Sequence, residues 1–141
     1  TPKPSSAASD VYKRQPLGCS AALATLDILQ NDGVLAAAQD KAVFLHQALE
    51  DALGKHPNVG EIRHIGLINA IELVKDPTTK EPLPSKARTG YQIYKKALDH
   101  DLLLRPLGDV LYFNPPLNTD NKTLTDAIDR TVESFADVLG K

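Results

Sequence analysis

The sequence predicts a two-layer α+β domain, with about four short strands and helices covering one face of a sheet. Three observations predict it. Apolar residues recur at helical spacing near both ends, short strand-like runs lie between them, and turn-forming residues stand at most junctions. At 141 residues the chain is the size of one domain and long enough to bury a core.

Taken in order, Pro16–Gln30 (PLGCSAALATLDILQ) is rich in Ala and Leu, with Pro16 suited to a first helical turn and Leu23, Leu26 and Leu29 or Gln30 near one face. Asn31, Asp32 and Gly33 break that helix, and Asp32 is a good N-cap for a second. There Val34, Leu35, Ala38, Ala42, Leu45, Leu49 and Ala52 fall three, four or seven apart, until Gly54 and the His56-Pro57-Asn58 turn end it. Two strands are expected at Val59–Ile65 and Leu67–Val74, separated by Gly66. Lys75–Ser85 reads as an exposed loop. A helix follows from about Ser85 to His100, with Tyr91, Tyr94, Ala97 and Leu98 inward. Leu102–Arg105 and Val110–Phe113 read as short strands around the turn-forming set Pro106-Leu107-Gly108-Asp109. Thr119 or Asp120 caps a last helix whose stripe is Leu124, Ile128, Thr131 or Val132, Phe135 and Leu139.

Composition narrows the function classes. Hydrophobic residues at 42% and charged residues at 24% are those of a globular protein. A net charge of −2 leaves no footprint for nucleic acid or anionic lipid. No run approaches the roughly 20 apolar residues of a membrane span, and no secretory signal opens the chain. Cys19 is alone, so neither an internal disulfide nor a multi-cysteine metal site can form, and a reducing, cytoplasmic setting is expected. Methionine is absent even at position 1, so the chain is expected to be a fragment. Ser5–Gln15 (SSAASDVYKRQ) matches, residue for residue, one reading frame of a transposon sequencing adapter. Residues 1–15 are therefore expected to be a non-native, disordered leader, with the domain itself running over 16–141.

Little in the chain can run chemistry. Phosphate-cradling glycine loops, a G-x-S-x-G elbow and an H-E-x-x-H zinc motif are all missing. His46, His56, His64 and His100 are scattered singly and read as surface or helix-end residues, Glu50-Asp51 as a solvated face, and Cys19 as a small packed hydrophobe. No residue is expected to be catalytic or to bind a metal or cofactor. The exception to this plain background is Leu102–Leu117 (LLLRPLGDVLYFNPPL). Arg105 ends an apolar run directly before a proline, which keeps it out of helical geometry. A planar guanidinium fixed there suits bidentate capture of a carboxylate. Equally, it could snorkel from an edge strand or pair with Asp109.

At this segment the chain resembles the class III, fold type I pyridoxal-phosphate aminotransferases. Three stretches carry the resemblance: Pro16–Leu29 (PLGCSAALATLDIL), Val59–Pro84 (VGEIRHIGLINAIELVKDPTTKEPLP), and an R-P-x-G-x-x-[IL]-Y strand pair at Arg105–Tyr112 followed by Asn114-Pro115-Pro116. Within the family it is most similar to the biotin-pathway branch, which implies the small C-terminal domain of that enzyme. The implied reaction converts 8-amino-7-oxononanoate to 7,8-diaminononanoate with S-adenosylmethionine as donor, in a cytoplasmic homodimer using pyridoxal 5'-phosphate. The resemblance makes Arg105 the arginine that binds the substrate carboxylate and Tyr112 an active-site tyrosine near the substrate. The family's cofactor lysine precedes the matched region, so the chain alone is expected to bind no cofactor and to be inactive. Two other readings stay open: a class III enzyme acting on ω-amino acids or ornithine, and a free-standing α+β ligand-binding module.

Overall fold

The structure, a computed structural model, describes residues 15–140. The expected leader, residues 1–15, lies outside the described residues except for Gln15. The elements are α1 (Pro16–Asn31), α2 (Val34–Leu53), β1 (Val59–Ile65), β2 (Ile68–Asp76), β3 (Glu81–Pro82), α3 (Thr89–Asp99), β4 (Arg105–Leu107), β5 (Val110–Phe113) and α4 (Asn121–Leu139). The chain divides into two compact units between Ala37 and Ala38. The first holds α1, which starts on Pro16 as its fixed φ favours and buries none of its side chains. Gln15 is its N-cap and Asp32 its C-cap.

The second unit is the α+β domain. Its strands pair antiparallel in the order β1-β2-β5-β4, and β3 adds to β2. One sheet face is buried. There Asn69, Ile71 and Leu73 of β2 alternate with half-buried or exposed residues, and Asn69 pairs with Phe113 and Ile71 with Leu111. Leu45, Leu49 and Leu53 of α2, Ile93 and Ala97 of α3, and Leu124, Ile128 and Phe135 of α4 share one core with those strands. Leu45, Leu49, Ile71, Ile93 and Leu111 are wholly excluded from solvent, each contributing about 1.5–3 kcal/mol.

Alternation places the complementary residues on the open face. One row crosses all four strands: Arg63, Ala70, Tyr112, Arg105. The next runs Glu61, Glu72, Val110, Leu107. On this face Arg63 forms an ion pair with Glu72.

The β4–β5 connection is a two-residue turn, Gly108-Asp109, with positive φ (64°) at the first position only. That is the type II′ pattern, which glycine adopts without strain. The turn is also a docking point for α3. The Gly90 N–H donates to Asp109 Oδ1 at 3.2 Å, and a Cβ on Gly90 would meet the Gly108 carbonyl oxygen at 2.3 Å. Gly90→Ala is therefore expected to destabilise the chain by about 1–3 kcal/mol through overpacking, although alanine gains up to roughly 1 kcal/mol in helix propensity. A urea midpoint that rises instead would show that α3 does not seat on this turn.

Asp120 caps α4. Its carboxylate accepts the Thr123 backbone N–H and hydroxyl, both at 2.9 Å. These bonds, the backbone one first, hold the carboxyl below the usual aspartate range. A carboxyl lowered in the folded state stabilises above its unfolded pKa, and that contribution vanishes as pH falls through the folded value. Asp120→Ala should lower the melting midpoint by a few degrees at neutral pH. The gap from wild type should close well below pH ~3.9; melting curves across pH test this.

Several sequence expectations need correction. Asp32 closes α1 rather than opening α2, and the Gly33 carbonyl accepts the first bond of α2 from Ala37. The helix expected over Ser85–His100 is a 3-10 turn (Ser85–Ala87) and then α3, because Arg88 takes a left-handed conformation (φ 49°, ψ 47°). Its guanidinium lies 4.5 Å from the Tyr91 ring centre. Tyr91 and Leu98 are exposed, and Thr89, Gly90, Ile93 and Ala97 form the buried side. The strand expected at Leu102–Arg105 starts only at Arg105. Leu102 remains tied to α3, its N–H donating to the Ala97 carbonyl at 2.8 Å, so pairing with β5 begins later. Cys19 is exposed rather than packed. The histidines are not isolated: the His46 and His64 rings stack with centroids 3.9 Å apart, and His100 contacts Glu133 and Asp137.

Candidate functional site

The site is built from β4 outward. Pairing between Arg105 and Tyr112 sets the two side chains next to each other on the open sheet face. Pro106 fixes the backbone just after the arginine, and the II′ turn sets the register. The two residues that the sequence marks for substrate binding, 7 positions apart in the chain, are thus direct cross-strand neighbours.

Around them lies a cavity of about 550 Å³, within the usual range for small-molecule sites. Arg105, Tyr112, Tyr94 and Asn114 line it, with Leu103 and Pro106 supplying apolar wall. A second, more apolar cavity of about 440 Å³ shares Leu103, Leu104, Tyr112 and Asn114 with the first and adds Pro115 and Pro116. Asp109 does not pair with Arg105 among the described residues; its Oδ1 accepts the Gly90 N–H. Arg105 makes no ion pair or side-chain hydrogen bond among the described residues, and it is exposed to the cavity. An arginine so placed offers its whole fork of donors to an incoming planar anion.

Sequence reading did not assign Tyr94, Leu103 or Asn114 to the site. Tyr94 was hidden by its helical spacing, which reads as core, and it is in fact half-buried and turned to the cavity. Asn114 directly follows the β5 strand, and its place in the Asn-Pro-Pro run was the one signal available.

Pyridoxal phosphate calls for a lysine that can lose its proton in a sheltered pocket, together with groups for the phosphate. Every described lysine is exposed except the half-buried Lys41, which donates to the Leu117 carbonyl. Lys75 is paired with Glu81, Lys80 with Glu61 and Lys96 with Asp99. The described residues do not fit this cofactor. Among them there is also no cluster of three metal-ligating side chains, and no helix long and apolar enough to cross a membrane.

Comparison with known proteins matches residues 2–138 to the class-III aminotransferase family. The adenosylmethionine-8-amino-7-oxononanoate aminotransferase of Geobacter sulfurreducens is 36% identical over 129 residues, which cover 92% of this chain and 28% of that protein. The diaminobutyrate–2-oxoglutarate transaminase of Halomonas elongata is 34% identical over 122 residues, covering 85% of this chain and 26% of that protein. The crystal structure of the adenosylmethionine-8-amino-7-oxononanoate aminotransferase of Methanocaldococcus jannaschii superposes with a TM-score of 0.79 at 36% identity, over 86% of this chain and 28% of that one. The chain spans less than a third of the length of these relatives. With the family match running through nearly all of its residues, the chain belongs to the class-III aminotransferases.

Proposed function

We propose that this chain supplies the acceptor-binding end of the active site of a homodimeric, pyridoxal-phosphate-dependent aminotransferase that converts 8-amino-7-oxononanoate to 7,8-diaminononanoate with S-adenosylmethionine as amino donor. The observation that carries the reading is Arg105, a guanidinium without an ion-pair partner among the described residues, opening on a cavity beside Tyr112. A nine-carbon oxo-acid has one permanent anion, at the end remote from the reacting carbonyl. Arg105 holds that carboxylate through two parallel N–H bonds, and Tyr112 flanks it from the neighbouring strand. Leu103 and Pro106 give the cavity apolar wall, which the methylene chain of such a substrate requires.

Anchoring alone is this chain's share of the chemistry on this reading, and by itself it carries no aminotransferase activity. Pyridoxal phosphate added to the chain should then give no Schiff-base absorbance that one lysine substitution removes. The domain is taken as residues 16–141, with residues 1–15 foreign to it.

A specific similarity favours a second reading, a transaminase using 2-oxoglutarate like the Halomonas relative. One experiment separates them. Residues 16–141 replace the matching segment of the Geobacter enzyme, and the chimaera is offered 8-amino-7-oxononanoate with S-adenosylmethionine and, separately, diaminobutyrate with 2-oxoglutarate. Formation of 7,8-diaminononanoate from S-adenosylmethionine supports the first reading. Turnover only of diaminobutyrate with 2-oxoglutarate replaces it with the second.

A further inference from the structure

We propose that the Tyr94 hydroxyl is a second carboxylate ligand in the Arg105 cavity and adds to the preference for acids over alcohols that the Arg105 charge creates, an inference that rests on the anchoring role of Arg105. An ionised carboxylate presents about four lone-pair directions, and a bidentate guanidinium meets two of them. The others must be met by further donors or by water. Of the side chains lining the cavity, Tyr112 belongs to the same strand pair as Arg105, and Tyr94 alone arrives from a helix. A donor from α3 can approach from a direction that no residue of the sheet row occupies.

Three features fit Tyr94 for this. Its helix is fixed, because Ile93 and Ala97 on the same element are completely buried and Gly90 seats on the β4–β5 turn. Its ring is steadied by Tyr91, with centroids 5.8 Å apart. Its hydroxyl makes no protein hydrogen bond among the described residues and stays accessible to solvent, so its donor is available to a ligand in the cavity. A tyrosine present only to pack would do as well without the oxygen. An acid bridging α3 and β4 uses it, and an alcohol of the same length gains nothing from the Arg105 charge.

The test uses the 141-residue chain, labelled with nitrogen-15 and titrated with sodium hexanoate and separately with 1-hexanol. Hexanoate is expected to shift the amide signals of Arg105, Tyr112 and Asn114, and to bind more tightly than hexanol. Tyr94→Phe should weaken hexanoate about tenfold, as loss of a hydrogen bond to a charged group does. Hexanol binding and the thermal midpoint should be unchanged. Arg105→Ala should abolish the hexanoate shifts. If Tyr94→Phe binds hexanoate as wild type does while Arg105→Ala does not, the Tyr94 inference falls and the anchor stands. Equal weakening of hexanoate and hexanol would make Tyr94 a packing residue and also overturn it. Hexanoate shifts that are absent in wild type, or survive Arg105→Ala, would overturn anchor and inference together.

Discussion

Arg105→Ala, introduced into the active chimaera, is expected to lower kcat/KM for 8-amino-7-oxononanoate about a hundredfold. Removing one partner of a hydrogen-bonded charge pair costs roughly 2–5 kcal/mol when the pair is shielded from water. Arg105 stands in an open cavity, so the lower part of that range applies. The contact lies far from the reacting carbonyl and is the same in ground and transition states, so the loss should appear mainly in KM. Arg105→Lys should recover only part of it, because a point charge replaces a planar fork. Steady-state kinetics on the two variants, with donor held saturating, make the measurement. An unchanged KM in Arg105→Ala would remove this residue from the substrate.

Phe135→Ala should cost the chain about 3–5 kcal/mol, as truncating a buried phenylalanine does. Phe135 is 1% exposed near the C-terminal end of α4, and its ring meets His56 edge-on with centroids 5.6 Å apart. The cavity would open where α4 meets the turn after α2, a turn that the Asn58 side chain ties to β2 by donating to the Val74 carbonyl at 3.0 Å. Small domains are stable by only about 5–15 kcal/mol, so the variant should be near the limit of folding. Urea denaturation should show a lower midpoint with an unchanged slope. A shift smaller than that of Asp120→Ala would mean that α4 is not seated on this core.

Local signals made much of the fold legible. Pro16 starts α1, Asp120 caps α4, and the 3.6-residue spacing of Ala38, Ala42, Leu45 and Leu49 marks the side of α2 that is buried. What stayed hidden depends on contacts remote in sequence or on rare backbone states. Arg88 could not be read as left-handed, since only its stacking on Tyr91 and the crowding at Gly90 go with that conformation. Leu102–Leu104 has strand composition, yet the bond from Leu102 to the Ala97 carbonyl keeps it with the helix. Arg105 and Tyr112 stood out through the R-P-x-G-x-x-[IL]-Y spacing, which a two-residue hairpin converts into a facing pair. Tyr94 had no such signal, because a tyrosine at helical spacing looks the same whether it meets a core or a ligand.

The strand that carries Arg105 is also a border of the sheet. Such borders invite a further strand, from a neighbouring molecule or from a misfolded copy, to continue the ladder. β4 is only three residues long, and its middle residue, Pro106, has no N–H to offer. A growing fibril would find almost nothing to copy there. The same proline that fixes the backbone just after Arg105 therefore lets this margin stay uncovered without becoming a seed for polymerisation.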